Sequence, residues 1–175
     1  MIRKILPTTN PKLRTKSKPV AKIDKKIQKL IQDLKDTLSI QKDPEGIGLA
    51  APQIGKNLRV FIADYKNFKR VVINPEILSK SKATSNLKKP NKEIMEGCLS
   101  LPNYYGPLRR SQKITVSYLN EKGEKVTETF TDFDAQIILH EIDHLEGILF
   151  VDRLLENNKP LYQISGDTWE EVELI

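Results

Sequence analysis

The stretch Ile138–Gly147 (ILHEIDHLEG) constrains this chain most, because the chemistry written in it works only on a helix. It contains His-Glu-x-x-His, and His140 and His144 are the only two histidines present. Positions four apart on an α-helix stack on one face, so both imidazoles can reach one metal ion. Glu141 stands beside that face, where a carboxylate can take a proton from metal-bound water. Two histidines scattered at random over such a chain would fall four apart about once in 90 trials. The bland alternative is a helix with two unrelated histidines, and the rest of the chain weighs against it.

Two histidines do not complete a catalytic metal site, which usually offers three protein ligands and one open position. No third histidine exists, but the downstream acids Asp152, Glu156 and Glu170 could serve, as in a generic zinc metallopeptidase. Upstream stands Cys98, the single cysteine, next to Gly97, which lets backbone come close. A lone cysteine is more often a small buried hydrophobe than a ligand. As a thiolate beside two neutral imidazoles it would leave a divalent ion net positive, able to acidify water and polarise a carbonyl. Such a ligand set suits zinc and also accepts iron. One cysteine excludes an internal disulfide and agrees with a reducing compartment.

Residues 45–55 are dominated by small side chains. They lack the third glycine of a dinucleotide loop and the lysine of a phosphate loop, and they precede a strand where such a loop would follow one. Gln53 is the one side chain there able to donate a hydrogen bond to a developing oxyanion.

The 175 residues suit one domain, 1–175, with a core of its own. No apolar run approaches the ~20 residues of a membrane span, and the N-terminus lacks the features of a signal or transit peptide. The expectation is a cytoplasmic monomer with no membrane partner. The net charge of +6 comes mostly from residues 1–30 and from 80–92. No aromatic residues interleave with the lysines of 80–92, so no specific nucleic-acid platform is expected, only weak attraction to acidic surfaces such as a ribosome. Residues 80–92 read as a flexible insert. Residues 1–20, with three prolines, read as an extended arm. Ile23, Ile27, Leu30, Ile31, Leu34 and Leu38 trace one stripe of a helix over 21–39. Strands are expected over 58–64 and 70–74, and a hairpin pairs 113–119 with 126–130. The histidine helix should begin near Asp132 or Asp134, either able to cap it, and end at Gly147. Residues 149–151 should pack, and 160–175 should form a strand-like tail turning at Gly166-Asp167.

Three stretches converge here. GIGLAAPQ at 46–53, EGCLS at 96–100 and HEIDHLEG at 140–147 resemble, in order and spacing, the three signature motifs of the peptide deformylases. The arm from Lys4 to Val20 and the run ILFVDR at 148–153 resemble the family's flanks as well. The resemblance implies that Cys98, His140 and His144 bind a divalent metal, typically Fe2+, with Zn2+, Ni2+ or Co2+ able to replace it. It implies Glu141 as general base and then acid, with Gln53 and the backbone N–H of Leu99 holding the oxyanion. The implied substrate is the N-formylmethionyl end of a new polypeptide, cleaved to formate and a free amine. By analogy the peptide lies extended between Ile47-Gly48 and Gly97, with Ile47, Phe133 and Ile137 as walls of a methionine pocket. Glu96 is expected to pair with Arg110 at the surface, an arrangement that orients more than it stabilises. Leu139 stands where the family often has Gln. The acidic, strand-like tail departs from relatives that end in a basic, ribosome-docking helix.

The expected fold is therefore α+β: antiparallel sheets wrapped around a central His-Glu-x-x-His helix, with the N-terminal helix outside. Two rivals remain at this stage, a zinc metallopeptidase with another third ligand and a non-catalytic module using its basic loop on RNA.

Overall fold

The computed structural model describes residues 1–42, 44–81 and 93–173. The insert expected at 80–92 therefore lies outside the described residues from 82 onward, as do the last two residues of the tail. Two sheets, antiparallel at every pairing, make the frame. The first has the order β1 (Gly48–Ala50), β2 (Val60–Tyr65), β3 (Phe68–Lys80), β6 (Lys113–Leu119), β7 (Lys125–Thr131). The second runs β4 (Ile94–Cys98), β5 (Leu101–Leu108), β8 (Leu161–Ser165), β9 (Thr168–Val172).

Strand β2 shows why the sequence folds this way. Successive side chains point to opposite faces, and both faces are covered. Phe61 and Ala63 pack with Ile138, Ile142 and Leu145 of helix α2 (Asp132–Glu146). Val60 and Ile62 pack with Ile27, Leu30, Ile31 and Leu34 of helix α1 (Lys25–Ser39). A strand buried on both sides reads as a continuous apolar run, which is what residues 60–63 are. Helix α1 starts where the Asp24 carboxylate accepts from the backbone of Lys26 and Ile27, at 2.9 and 3.0 Å. Cys98, Leu108, Phe150, Leu154 and Leu161 form a third, smaller cluster between the second sheet and α3 (Phe150–Glu156).

Several expectations change. The N-cap of α2 is Thr131, without a side-chain bond, and neither Asp132 nor Asp134 caps. Strand β7 runs into the helix with no loop between them. Asp132 takes a left-handed φ of 52°, and its N–H goes to Gln112 O at 2.7 Å. The two acids still lie in the first turn, at the positive end of the helix dipole. At the other end Gly147 has φ 77°, and its N–H bonds back to Asp143 O and His144 O. Strand β3 continues six residues past the expected end at Asn74. Asn74-Pro75 reads as a turn, but here the Asn74 amide clamps Val20 N and O at 2.8 Å each, across a register shift. Strand β5 was hidden by Pro102, Gly106 and Pro107, and α3 is too short to show a helical period.

The N-terminal arm does more than cross the surface. It forms a 3-10 turn over Pro11–Arg14, and its backbone bonds Gln53 O from Leu6, Ser100 O from Thr8 and Leu145 O from Ser17. One strap thus ties together the three motif stretches. No helix among the described residues is long and apolar enough to cross a membrane.

Leu34 has no exposed surface at the join between α1 and the first sheet. Leu34→Ala is expected to lower stability by about 2–5 kcal/mol, read as a lower urea midpoint. Lys29→Ala on the solvent side of α1 should stay within about 0.5 kcal/mol. Equal losses would contradict this packing.

Candidate active site

Helix α2 presents His140, Glu141 and His144 toward the end of β4, where the chain turns at Cys98. Cys98 Sγ lies 3.3 Å from His144 Nε2. The ligand atoms of Cys98, His140 and His144 all lie within 4.8 Å of one another. For tetrahedral coordination with metal–sulfur and metal–nitrogen distances of about 2.3 and 2.05 Å, sulfur and nitrogen sit about 3.5 Å apart. The Cys98–His144 pair stands at about that spacing, and the three donors converge as a set that could hold one divalent ion.

Their protonation suits that task. Burial works to raise the Cys98 thiol, but the His144 and His140 imidazoles outweigh it and hold the thiol well below its usual value. Burial works against a charge on His140, and Glu96 with Cys98 overcomes it, raising that imidazole well above its usual value. Metal binding needs the same thiolate and a neutral imidazole, so a divalent ion bound here would release the imidazole proton.

Glu96 is the organiser, and it is buried, not at the surface as expected. Its carboxylate accepts from Arg110 Nε at 2.8 Å and Nη2 at 2.6 Å, Gln136 Nε2 at 3.0 Å and His140 Nδ1 at 2.7 Å. Burial pushes this carboxyl upward, and Arg110 and His140 more than reverse it, holding it far below the usual carboxylate range. A carboxylate has no proton to give, so His140 Nδ1 must be the donor, which leaves Nε2 for a metal. Arg110 also donates to Asp143 Oδ2 at 2.7 Å. Asp143 in turn accepts from Arg153 Nε at 3.0 Å and Nη2 at 2.7 Å. The sequence reading found neither Gln136 nor the Asp143–Arg153 pair. Gln136 had a signal, since it lies four residues before His140 on the same helix face.

Glu141 is buried, and its Oε2 has no hydrogen-bond partner among the described residues. Burial pushes its carboxyl up to about 7, against the pull of the two imidazoles. A group poised there can both take and return a proton near neutrality. The adjacent glycine is explained by this carboxylate: a Cβ on Gly48 would lie 2.3 Å from Glu141 Oε1. Gln53 Oε1 accepts from Ala50 N at 2.8 Å, which turns Nε2 toward Cys98 Sγ at 3.4 Å and Ser100 Oγ at 3.2 Å.

A cavity of about 380 Å³ opens here, lined by Ile47, Gly48, Gln53, Gly97, Cys98, Leu99, Phe133, Ile137, His140 and Glu141 among others. Phe133 and Ile137 also belong to the core packing around α2. The cavity lies between β1 and β4, each an edge strand of its sheet. Of the alternative downstream ligands, Asp152 is engaged with Arg14 and Leu149 N and Glu156 with Arg153, while Glu170 lies exposed on β9 and outside the group of converging donors.

Comparison with known proteins agrees with this architecture. The family described as Polypeptide deformylase matches residues 2–160. The peptide deformylase of Pseudothermotoga lettingae is 46% identical over 153 residues, covering 87% of this chain and 82% of that protein. Peptide deformylase 2 of Clostridium acetobutylicum is 44% identical, covering 89% of this chain and 97% of its own. Among solved structures, the Thermotoga maritima peptide deformylase superposes with a TM-score of 0.77 at 37% identity, covering 87% of this chain and 97% of that one. The Legionella pneumophila peptide deformylase gives 0.75 at 41% identity, covering 87% and 85%. This chain belongs to the polypeptide deformylase family, the hydrolases that remove N-formyl groups from nascent polypeptides.

Gly48→Ala tests the site geometry. The new methyl must displace the Glu141 carboxylate by a distance on the order of 1 Å, and such a misplacement costs about 10²-fold in turnover. Metal content should stay at the wild-type level. Wild-type turnover in Gly48→Ala would show that this contact does not set the position of Glu141.

Proposed function

We propose that this chain hydrolyses the formyl group from the initiator formylmethionine of newly made polypeptides, with Cys98, His140 and His144 holding one divalent ion. The observation that carries the reading is the buried Glu141 carboxylate, unpartnered on one oxygen, beside a one-sulfur, two-imidazole donor set at the mouth of a cavity between two sheet edges. We take the ion as ferrous iron on the family resemblance, with zinc, nickel or cobalt also suited to these donors. When bound, it would acidify water and polarise the formyl carbonyl.

The chain's own residues then divide the work. An extended substrate pairs its backbone with the open edges at Ile47-Gly48 and Gly97, the way an added strand would. Its methionine side chain enters the cavity toward Phe133 and Ile137. Glu141 takes the proton of the attacking water as oxygen bonds to the formyl carbon. Gln53 Nε2 and the Leu99 N–H donate to the oxygen that becomes negative in the tetrahedral adduct. As the carbon–nitrogen bond breaks, Glu141 returns the proton to the leaving amine, and formate and a free N-terminus result.

The test is formate release from formyl-Met-Ala by anaerobically purified, iron-loaded protein. Wild type should turn over, Glu141→Ala should fall to background, and Gln53→Leu should lose about 10²- to 10³-fold in kcat. A protein holding one equivalent of metal that releases no formate would contradict the reading.

A further inference from the structure

The hairpin β8–β9 lies wholly beyond residue 160, where the family match ends. It carries the chain's single tryptophan, Trp169, which is 50% exposed. Register places Gly97, Tyr105, Tyr162 and Glu171 in one cross-strand row over β4, β5, β8 and β9. Residues paired directly across a sheet share a face, and so do residues two apart on a strand. Trp169 therefore stands on this same face. Its ring centroid lies 5.7 Å from that of Tyr105 and 6.4 Å from that of Tyr162.

This face is continuous with the substrate groove. Glu96 points to α2 and marks the inner side of β4, so Gly97 faces outward. A Cβ on Gly97 would lie 2.6 Å from the Tyr105 ring, so the missing side chain presents that ring to the groove edge. Tyr105 itself lines the cavity. A methionine side chain turned inward toward α2 sends the next side chain of an extended peptide to the outer face. There it meets aromatic rings beside a carboxylate. From 161 to 173 the chain has four acids (Asp167, Glu170, Glu171, Glu173) and no cation. Electron-rich ring faces next to negative charge fit an ammonium or guanidinium.

We propose that Tyr105, Tyr162, Trp169 and Glu171 form a subsite for the second residue of the substrate, selecting a basic side chain there. The proposal rests on the deformylase reading for its occupant. The hairpin thus sets substrate preference beyond methionine. A cation over rings at a half-exposed site favours binding by about two- to fivefold.

The experiment compares kcat/KM of the metal-loaded enzyme for formyl-Met-Lys-Ala and for formyl-Met-norleucine-Ala, which keeps the aliphatic stem without the ammonium. The expected ratio is about two to five in wild type, and it falls toward one in Trp169→Ala and in Glu171→Gln. Because the ratio is taken within each protein, a lower folded fraction in a variant cancels. A wild-type ratio of one, or a ratio unchanged in both variants, overturns the subsite. Trp169 fluorescence gives a second readout in metal-loaded Glu141→Ala protein, where the lysine peptide should shift the emission more than the norleucine peptide. If wild type hydrolyses neither peptide, the deformylase reading fails, and the emission titration alone then decides the subsite: a lysine-selective shift supports it, and no shift overturns it.

Discussion

A carboxylate taken out of water must be met by donors, and Glu96 is met by four of them from three places in the fold. Arg110 reaches it from just beyond β5, while Gln136 and His140 reach it from consecutive turns of α2. Removing a single partner of such a buried charge costs about 3–5 kcal/mol, whereas an apolar replacement of the whole set can be neutral. The network is therefore poor evidence for stability and strong evidence for placement. It fixes the second sheet against α2 and orients the His140 ring. Arg110, Asp143 and Arg153 extend the alternation of charges to α3, so β4, α2, α3 and the loop after β5 share one electrostatic arrangement.

The groove follows from what that arrangement leaves open. With the second sheet locked to α2, the edges of β1 and β4 face each other across the cavity, and among the described residues neither is paired on that side. Open edges invite unwanted pairing, and short strands limit that risk. Here β1 has three residues and β4 five. The N-terminal strap bonds Gln53, Ser100 and Leu145 from outside and holds the walls at a set spacing. A backbone approaching between those walls finds glycine on each side, Gly48 against Glu141 and Gly97 against Tyr105.

What the sequence made legible was local. The four-residue spacing of His140 and His144, the stop at Gly147, the α1 stripe and the β6–β7 hairpin each depend on neighbours within a few positions. The converging motif stretches also led to the Cys98–His140–His144 group that the structure brings together. What stayed hidden depends on distant partners. Glu96 looked like half of a surface pair because its burial comes from α2, some 40 residues on. Asp132 looked like a cap because nothing in its own neighbourhood reveals that β7 continues straight into the helix. Gly48 read as part of an edge for an extended peptide, but only the fold shows that the Glu141 carboxylate packs against it. Asn74-Pro75 imitated a turn because the Val20 backbone that satisfies Asn74 lies 54 residues away.

The central claim is that a thiolate from β4 and two imidazoles from α2 hold one ion. X-ray absorption at the metal edge of the iron-loaded protein tests it directly. The account predicts one sulfur and two imidazole nitrogens in the coordination shell, with the sulfur contribution lost in Cys98→Ser. A shell of nitrogen and oxygen alone in the wild-type protein would contradict it.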